Sequence, residues 1–209
     1  MTGVLLVDDH PLFRSALITA VRRVKGDARV VEAQSLKEAT AKLKSDPLIS
    51  LVLLDLRMPD CQGFSGLLAL RAEFPDRRIV VVSAAEDADT VRRALAFGAA
   101  GFIPKSAPLD TLMEALSSVL GGGVWTPPGF HAEAGDETVQ RFGSLTPAQL
   151  RILMSMRKGL LNKQIAYDMG ISEATVKSHV TMIFRKLGVT NRTQAVVAAE
   201  PLLLDLDAA

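Results

Sequence analysis

Three carboxylates, a hydroxyl and an ammonium stand at or near the ends of four short apolar runs in the first half of this chain. Gly3–Val7 delivers Asp8 and Asp9, and Leu51–Leu54 delivers Asp55. Ile79–Val82 delivers Ser83, and Gly101–Ile103 leads through Pro104 to Lys105. A carboxylate can attack phosphorus and form an acyl phosphate. Such a transfer needs the phosphoryl oxygens neutralised, because negative charge spreads over them in the transition state. Magnesium does this and takes carboxylate and water oxygens. The residue types assign Asp8 and Asp9 to Mg2+, Asp55 to attack, Lys105 to one phosphoryl oxygen and Ser83 to another. A single strand-end Asp is explained by helix capping. An acidic pair, a third Asp, a Ser and a Lys at four such ends are not.

These residues meet only if the runs are strands of one parallel sheet, whose carboxyl ends form the ligand crevice. The runs are apolar without alternation, as strands buried on both faces are. Helical stripes separate them. Phe13, Leu17, Ala20, Val21 and Val24 form the first. A strand near Arg29–Glu32 follows, then a helix opened by a Ser35/Glu38 capping box. Further helices are expected up to about Phe74, from about Asp87 to Phe97, and over Leu109–Leu120. Right-handed crossovers then give an α/β domain over 1–121 with a five-stranded, doubly wound parallel sheet.

Residues 122–143 hold glycines, a Pro-Pro pair and acids, and read as a linker whose Trp125 packs at the domain edge. From 144 to 200 the periodicity is purely helical. Thr146 and Gln149 form a capping box, Gly170 ends a short helix, and Ser172 caps Glu173–Leu187. A last helix, from about Arg192, is expected to stop at Pro201, leaving 201–209 as a tail. A short helix, a glycine turn and a longer helix make a helix-turn-helix in a small all-α domain. Residues 144–199 carry 8 basic and 2 acidic side chains, whereas 1–120 carry 15 of each, so an anionic partner is expected for the second part. On Glu173–Leu187 the apolar face is Val176, Val180, Ile183, Phe184 and Leu187. Lys177, Ser178, Thr181 and Arg185 stand opposite, suited to base edges and phosphates of a major groove. Lys163 and Lys186 add candidate phosphate contacts.

The motifs VDDHP at 7–11, LLDLRMPDCQG at 53–63, VVSA at 81–84 and GAAGFIPK at 98–105 resemble the receiver domain of two-component response regulators, which implies a flavodoxin-like fold for this part. LTPAQLRIL at 145–153, NKQIAYDMGISEATVKSHVTMIFRKLGV at 162–189 and NRTQA at 191–195 resemble the LuxR-type helix-turn-helix of the NarL/FixJ family. The resemblance implies that Asp55 is the phosphoacceptor and that a histidine kinase or a small acyl phosphate is the donor. It implies that Asp8, Asp9, Asp55 and the Arg57 backbone carbonyl hold Mg2+. Phe102 becomes the switch aromatic that turns inward when Ser83 moves to the phosphoryl group. Thr175 joins the DNA-contacting set, double-stranded promoter DNA and RNA polymerase become partners, and phosphorylation drives homodimerisation.

One cysteine, Cys61, excludes an internal disulfide, and His10, His131 and His179 are too dispersed to suggest a metal motif. No apolar run suits a membrane span and the first residues lack a signal-peptide pattern, so a cytoplasmic location is expected. A dehalogenase-type enzyme would need a second Asp two residues after Asp55, where Arg57 stands, so no substrate turnover is expected. A regulator that binds DNA without phosphorylation, or a module whose helix-turn-helix holds a protein partner, is the competing reading.

Overall fold

The computed structural model describes residues 2–130 and 137–204. In chain order the first part contains β1 (Gly3–Val7), α1 (Pro11–Val24), β2 (Arg29–Ala33), α2 (Leu36–Ser45) and β3 (Ile49–Asp55). There follow β4 (Arg57–Met58), β5 (Cys61–Gln62), α3 (Ser65–Glu73), β6 (Arg78–Ser83), α4 (Ala88–Ala96), β7 (Gly101–Pro104) and α5 (Leu109–Leu120). The second part is helical: α6 (Glu137–Gly143), α7 (Pro147–Arg157), α8 (Asn162–Met169), α9 (Glu173–Leu187) and α10 (Arg192–Leu204).

Five parallel strands lie in the order β2-β1-β3-β6-β7. Successive residues alternate between the two faces. Val4 and Leu6 of β1, Leu51 and Leu53 of β3, and Val80 and Val82 of β6 pack with α1 and α5. Leu5, Val7, Val52, Leu54, Ile79 and Val81 pack on the other side with α2, α3 and α4. Both faces are covered, which is why the strands read as unbroken apolar runs. Strand order reverses between β1 and β3, and there the carboxyl ends open a crevice.

The second core continues into the helical part. Phe64, Phe97 and Phe142 pack edge to face, with ring centroids 5.2 and 5.5 Å apart. Gly143 lies so close to α4 that a Cβ there would fall 2.4 Å from the Ala96 carbonyl oxygen. A helix therefore stands inside the segment read as linker. Val139 and Phe142, three residues apart, are both buried and supply its apolar face. Before it the chain pairs with the sheet edge: Trp125 bridges to Gly101 in parallel, and Phe102 N–H donates to the Trp125 carbonyl at 3.1 Å. Residues 131–136, which include His131, lie outside the described residues.

Local signals mostly act as read. Thr146 and Gln149 cap each other's backbone, and Ser172 Oγ accepts from Thr175 N–H. Gly170 takes φ +66° at the helix-turn-helix corner, a conformation that disfavours any side chain. The Ser35/Glu38 box is modified: Ser35 accepts from Glu38 N–H, but Glu38 reaches one residue further back, to Gln34 N–H at 2.8 Å. Pro201 does not stop α10, which runs on to Leu204. Proline forfeits its own bond to the preceding turn, and the paired Glu200, 3.2 Å from Arg157 Nη2, anchors the helix just before it.

Asp87 caps α4, accepting from Thr90 N–H at 2.9 Å and Thr90 Oγ1 at 2.6 Å. Burial alone would raise its carboxyl pKa, but these hydrogen bonds prevail and hold it below the usual range. Asp87→Ala is expected to lower unfolding free energy by about 1 kcal/mol in urea titrations at pH 7. A depressed folded-state pKa stabilises above the unfolded value and is lost as pH falls through the folded one. The gap between parent and variant is therefore expected to shrink below about pH 3.9.

Candidate functional site

The crevice collects the residues that the strand ends promised. Asp8 and Asp55 are almost wholly buried, at 1% and 2% exposure, and Ser83 is fully so. Lys105 Nζ lies 2.7 Å from Asp8 Oδ2 and 2.7 Å from Asp55 Oδ2. Its ammonium also sits 5.1 Å from the centre of the Phe13 ring, which the first turn of α1 supplies. Burial pushes the Asp55 carboxyl above the usual range. Hydrogen bonds from Lys105 and from Arg57 N–H (3.1 Å), with the Lys105 charge, pull it back, and Asp8 adds repulsion.

The donor set fits a divalent cation. Single ligand atoms of Asp8, Asp9, His10 and Asp55 lie within 4.8 Å of one another. Asp8 Oδ2 and Asp9 Oδ1 are buried yet accept no hydrogen bond, although Lys105 and His10 stand close enough to pair with them electrostatically. Oxygens left so exposed to one another are what a hard cation binds. Arg57 N–H donates to Asp55 Oδ1 and closes the turn after β3. This turn opens into the β4–β5 hairpin, which sequence reasoning did not anticipate, and Asp60 at its tip accepts from Leu36 and Lys37 N–H, both at 3.1 Å. The loop after Asp55 is thereby fastened to the start of α2.

Ser83 Oγ accepts from Ala85 N–H at 3.2 Å, and Lys105 N–H donates to the Ser83 carbonyl at 2.8 Å. Phe102 on β7 is wholly buried, and its N–H is the group bonded to the linker at Trp125. The catalytic and switch candidates thus share one end of the sheet.

The basic set lies in the helical part. Thr175, Lys177, Ser178, Thr181 and Arg185 of α9 are exposed, as is Lys163 of α8, while Val176, Ile183 and Leu187 are buried. Lys177 pairs with Glu173 at 2.9 Å, a contact on the solvated face. Lys186 departs from expectation. Its Nζ donates to the Ser144 carbonyl (2.6 Å) and Gln149 Oε1 (2.8 Å), so it braces α9 against α7 instead of facing outward.

Two site residues escaped sequence reasoning. Arg14, 8% exposed, donates from Nη1 to the Asp8 carbonyl (2.7 Å) and from Nε to Glu32 Oε2 (2.9 Å), bracing the end of β1. An Arg within an apolar helical stripe was its only signal. The other is His10, whose Nδ1 lies 2.9 Å from Asp9 Oδ1 and 3.1 Å from Asp8 Oδ1, so that its ring stands beside the acidic pair. Its place directly after the acidic pair was the available sign.

Residues 4–117 match the family described as response regulator receiver domain, and residues 143–199 match bacterial regulatory proteins, luxR family. The glycerol metabolism activator of Pseudomonas putida is 39% identical, over 95% of this chain and 95% of that protein. The nitrate/nitrite response regulator protein NarL of Escherichia coli is 33% identical over 93% of each. A structure of RcsB from Salmonella enterica serovar Typhimurium, bound to a promoter in the presence of phosphomimetic BeF3-, superposes with a TM-score of 0.56. It covers 94% of this chain and 97% of the other at 20% identity, a likeness of fold alone.

Arg14→Ala strips the Asp8 carbonyl of its buried donor and leaves Glu32 to solvent. The expected result is a loss of about 2 kcal/mol in denaturant unfolding. Mg2+ affinity, read by calorimetry, is expected to fall about tenfold because the end of β1 is no longer braced.

Proposed function

This chain belongs to the two-component response regulators of the NarL/FixJ type, a receiver domain joined to a LuxR-type DNA-binding domain, and we propose that it is a transcription factor gated by phosphorylation of Asp55. The observation that carries this reading is the buried Asp55 carboxylate at the sheet's switch point, with the Lys105 ammonium 2.7 Å away. We assign 1–121 to the receiver, 122–143 to the linker and 144–200 to the DNA-binding part.

An Asp55 oxygen forms a P–O bond as the donor's bond to phosphorus breaks. The donor is a histidine kinase or a small acyl phosphate. Lys105 then balances charge on one phosphoryl oxygen and Ser83 donates its hydroxyl to another. Asp8, Asp9, Asp55 and the Arg57 carbonyl would hold Mg2+, which supplies charge neutralisation on the phosphoryl oxygens. The receiver hydrolyses only its own phosphoryl group and turns over no separate substrate. Phe102, buried on β7 with its N–H bonded to the Trp125 carbonyl, is the switch aromatic of this reading. Phosphorylation shifts the population toward a homodimer whose α9 faces enter successive major grooves. RNA polymerase at the promoter and a cytoplasmic location complete the reading. Among the described residues no helix is long and apolar enough to cross a membrane.

Light scattering on the parent and Asp55→Ala, with and without Mg2+ and beryllofluoride, tests the gate. A monomer-to-dimer shift in the parent alone is expected. A constant mass in both would favour DNA binding independent of phosphorylation, or a protein-interaction role. Lys177→Ala is expected to weaken operator binding about tenfold or more at 0.1 M salt and to flatten the salt dependence by about one phosphate contact. Phosphoryl uptake should be unchanged, and equal DNA affinity for variant and parent would remove α9 from the groove.

A further inference from the structure

The imidazole of His10 has no part in the phosphoryl chemistry above, yet it stands among the cation-binding oxygens. Its Nδ1 lies 3.1 Å from Asp8 Oδ1, 2.9 Å from Asp9 Oδ1 and 3.7 Å from Asp55 Oδ2. Donors bonded at about 2.1 Å to one ion sit roughly 3.0 to 3.4 Å apart when adjacent, in octahedral or tetrahedral order. Two of the three spacings fall at or near that range, and the third needs a small adjustment. The backbone that carries the ring is also held in place. The His10 backbone N–H donates to Asp8 Oδ1 at 2.7 Å, and Pro11 commits the chain to α1 one residue later. Asp9 Oδ1, buried and accepting no hydrogen bond, faces the ring at the shorter of these distances.

Imidazole is a poor ligand for Mg2+, which prefers oxygen, and a good one for zinc, iron, nickel and related first-row ions. We propose that His10 is a metal ligand that makes this pocket a mixed nitrogen and oxygen site, selective for first-row transition divalent ions over Mg2+. The inference rests on reading the acidic pocket as a cation site. Such an ion uses the same carboxylates as Mg2+, so it competes for the pocket and is not a second cofactor. The three-carboxylate set serves Mg2+ without the ring. His10 is therefore a determinant of which ion is held, not of whether one is held. Its exposed ring, 62% accessible, leaves the fold independent of it.

The test uses Co2+ and Mg2+ as probes on the full chain, with equilibrium dialysis for affinity and visible absorption of bound Co2+ for its ligands. The variants are His10→Gln, and Asp9→Asn as a control for the pocket itself. Circular dichroism confirms folding. In His10→Gln the Co2+ dissociation constant is expected to rise about tenfold or more, with Mg2+ moving less than about twofold, and the Co2+ bands are expected to shift. An unchanged Co2+ constant and spectrum, or equal losses for both ions, would overturn the proposal while leaving Mg2+ binding intact. If Asp9→Asn changes neither ion's affinity, the acidic pocket is not the cation site, and the inference falls together with the reading beneath it.

Discussion

Carboxylates repel one another when a sheet brings them together out of water, and this molecule is arranged around that repulsion. Pairing of β1 with β3 sets Val7 against Leu54, so Asp8 and Asp55 follow side by side at the reversal of strand order. Both are nearly inaccessible, which raises the cost of their charges. One ammonium answers both. Lys105 arrives from the far end of the sheet, two strands away, and its reach depends on β6 and β7 lying parallel in register. Arg14 and the Asp60 tether then hold the two acidic loops from behind. Remove the sheet's register and no local change could restore the cluster.

That dependence explains what was legible beforehand. Strands buried on both faces are short apolar runs, and polar residues at their ends stand out sharply, so Asp8, Asp9, Asp55, Ser83 and Lys105 could be placed without coordinates. The helix-turn-helix was equally open, because its caps and its opposing apolar and basic faces are local patterns. Contacts between distant elements were not open. Arg14 bonds a carbonyl at the end of the neighbouring strand, and nothing within its own helix announces that. Lys186 looked like an outward cation by spacing, yet Gln149 and the Ser144 carbonyl across the helix pair draw it inward. Residues 137–143 were hidden in a segment rich in glycine, proline and acids, since Val139 and Phe142 become an apolar face only when α4 lies beside them.

The two parts of the chain share one continuous core on the α2–α3–α4 side. Phe64 follows the loop after Asp55, Phe97 closes α4 and Phe142 belongs to α6, so three rings join the pocket's surroundings to the helix that leads into the DNA-binding part. Packed interiors respond to displacement by changing arrangement and not by stretching. The loop after Asp55, α4 and α6 are thus joined by packed side chains, while the basic face of α9 lies exposed away from that core.

The bridge of Trp125 to Gly101 has a consequence for association between molecules. An open parallel sheet ends in strands whose backbone groups invite pairing with another chain. On the β7 side this chain answers its own invitation: Phe102 N–H and the Ala100 carbonyl are taken by Trp125. The segment after α5 thus acts as a cover strip, and growth of the sheet across two copies is blocked at that border. At this border, contact between copies is left to side chains on helices, which can be remodelled by a signal, and not to a backbone ladder.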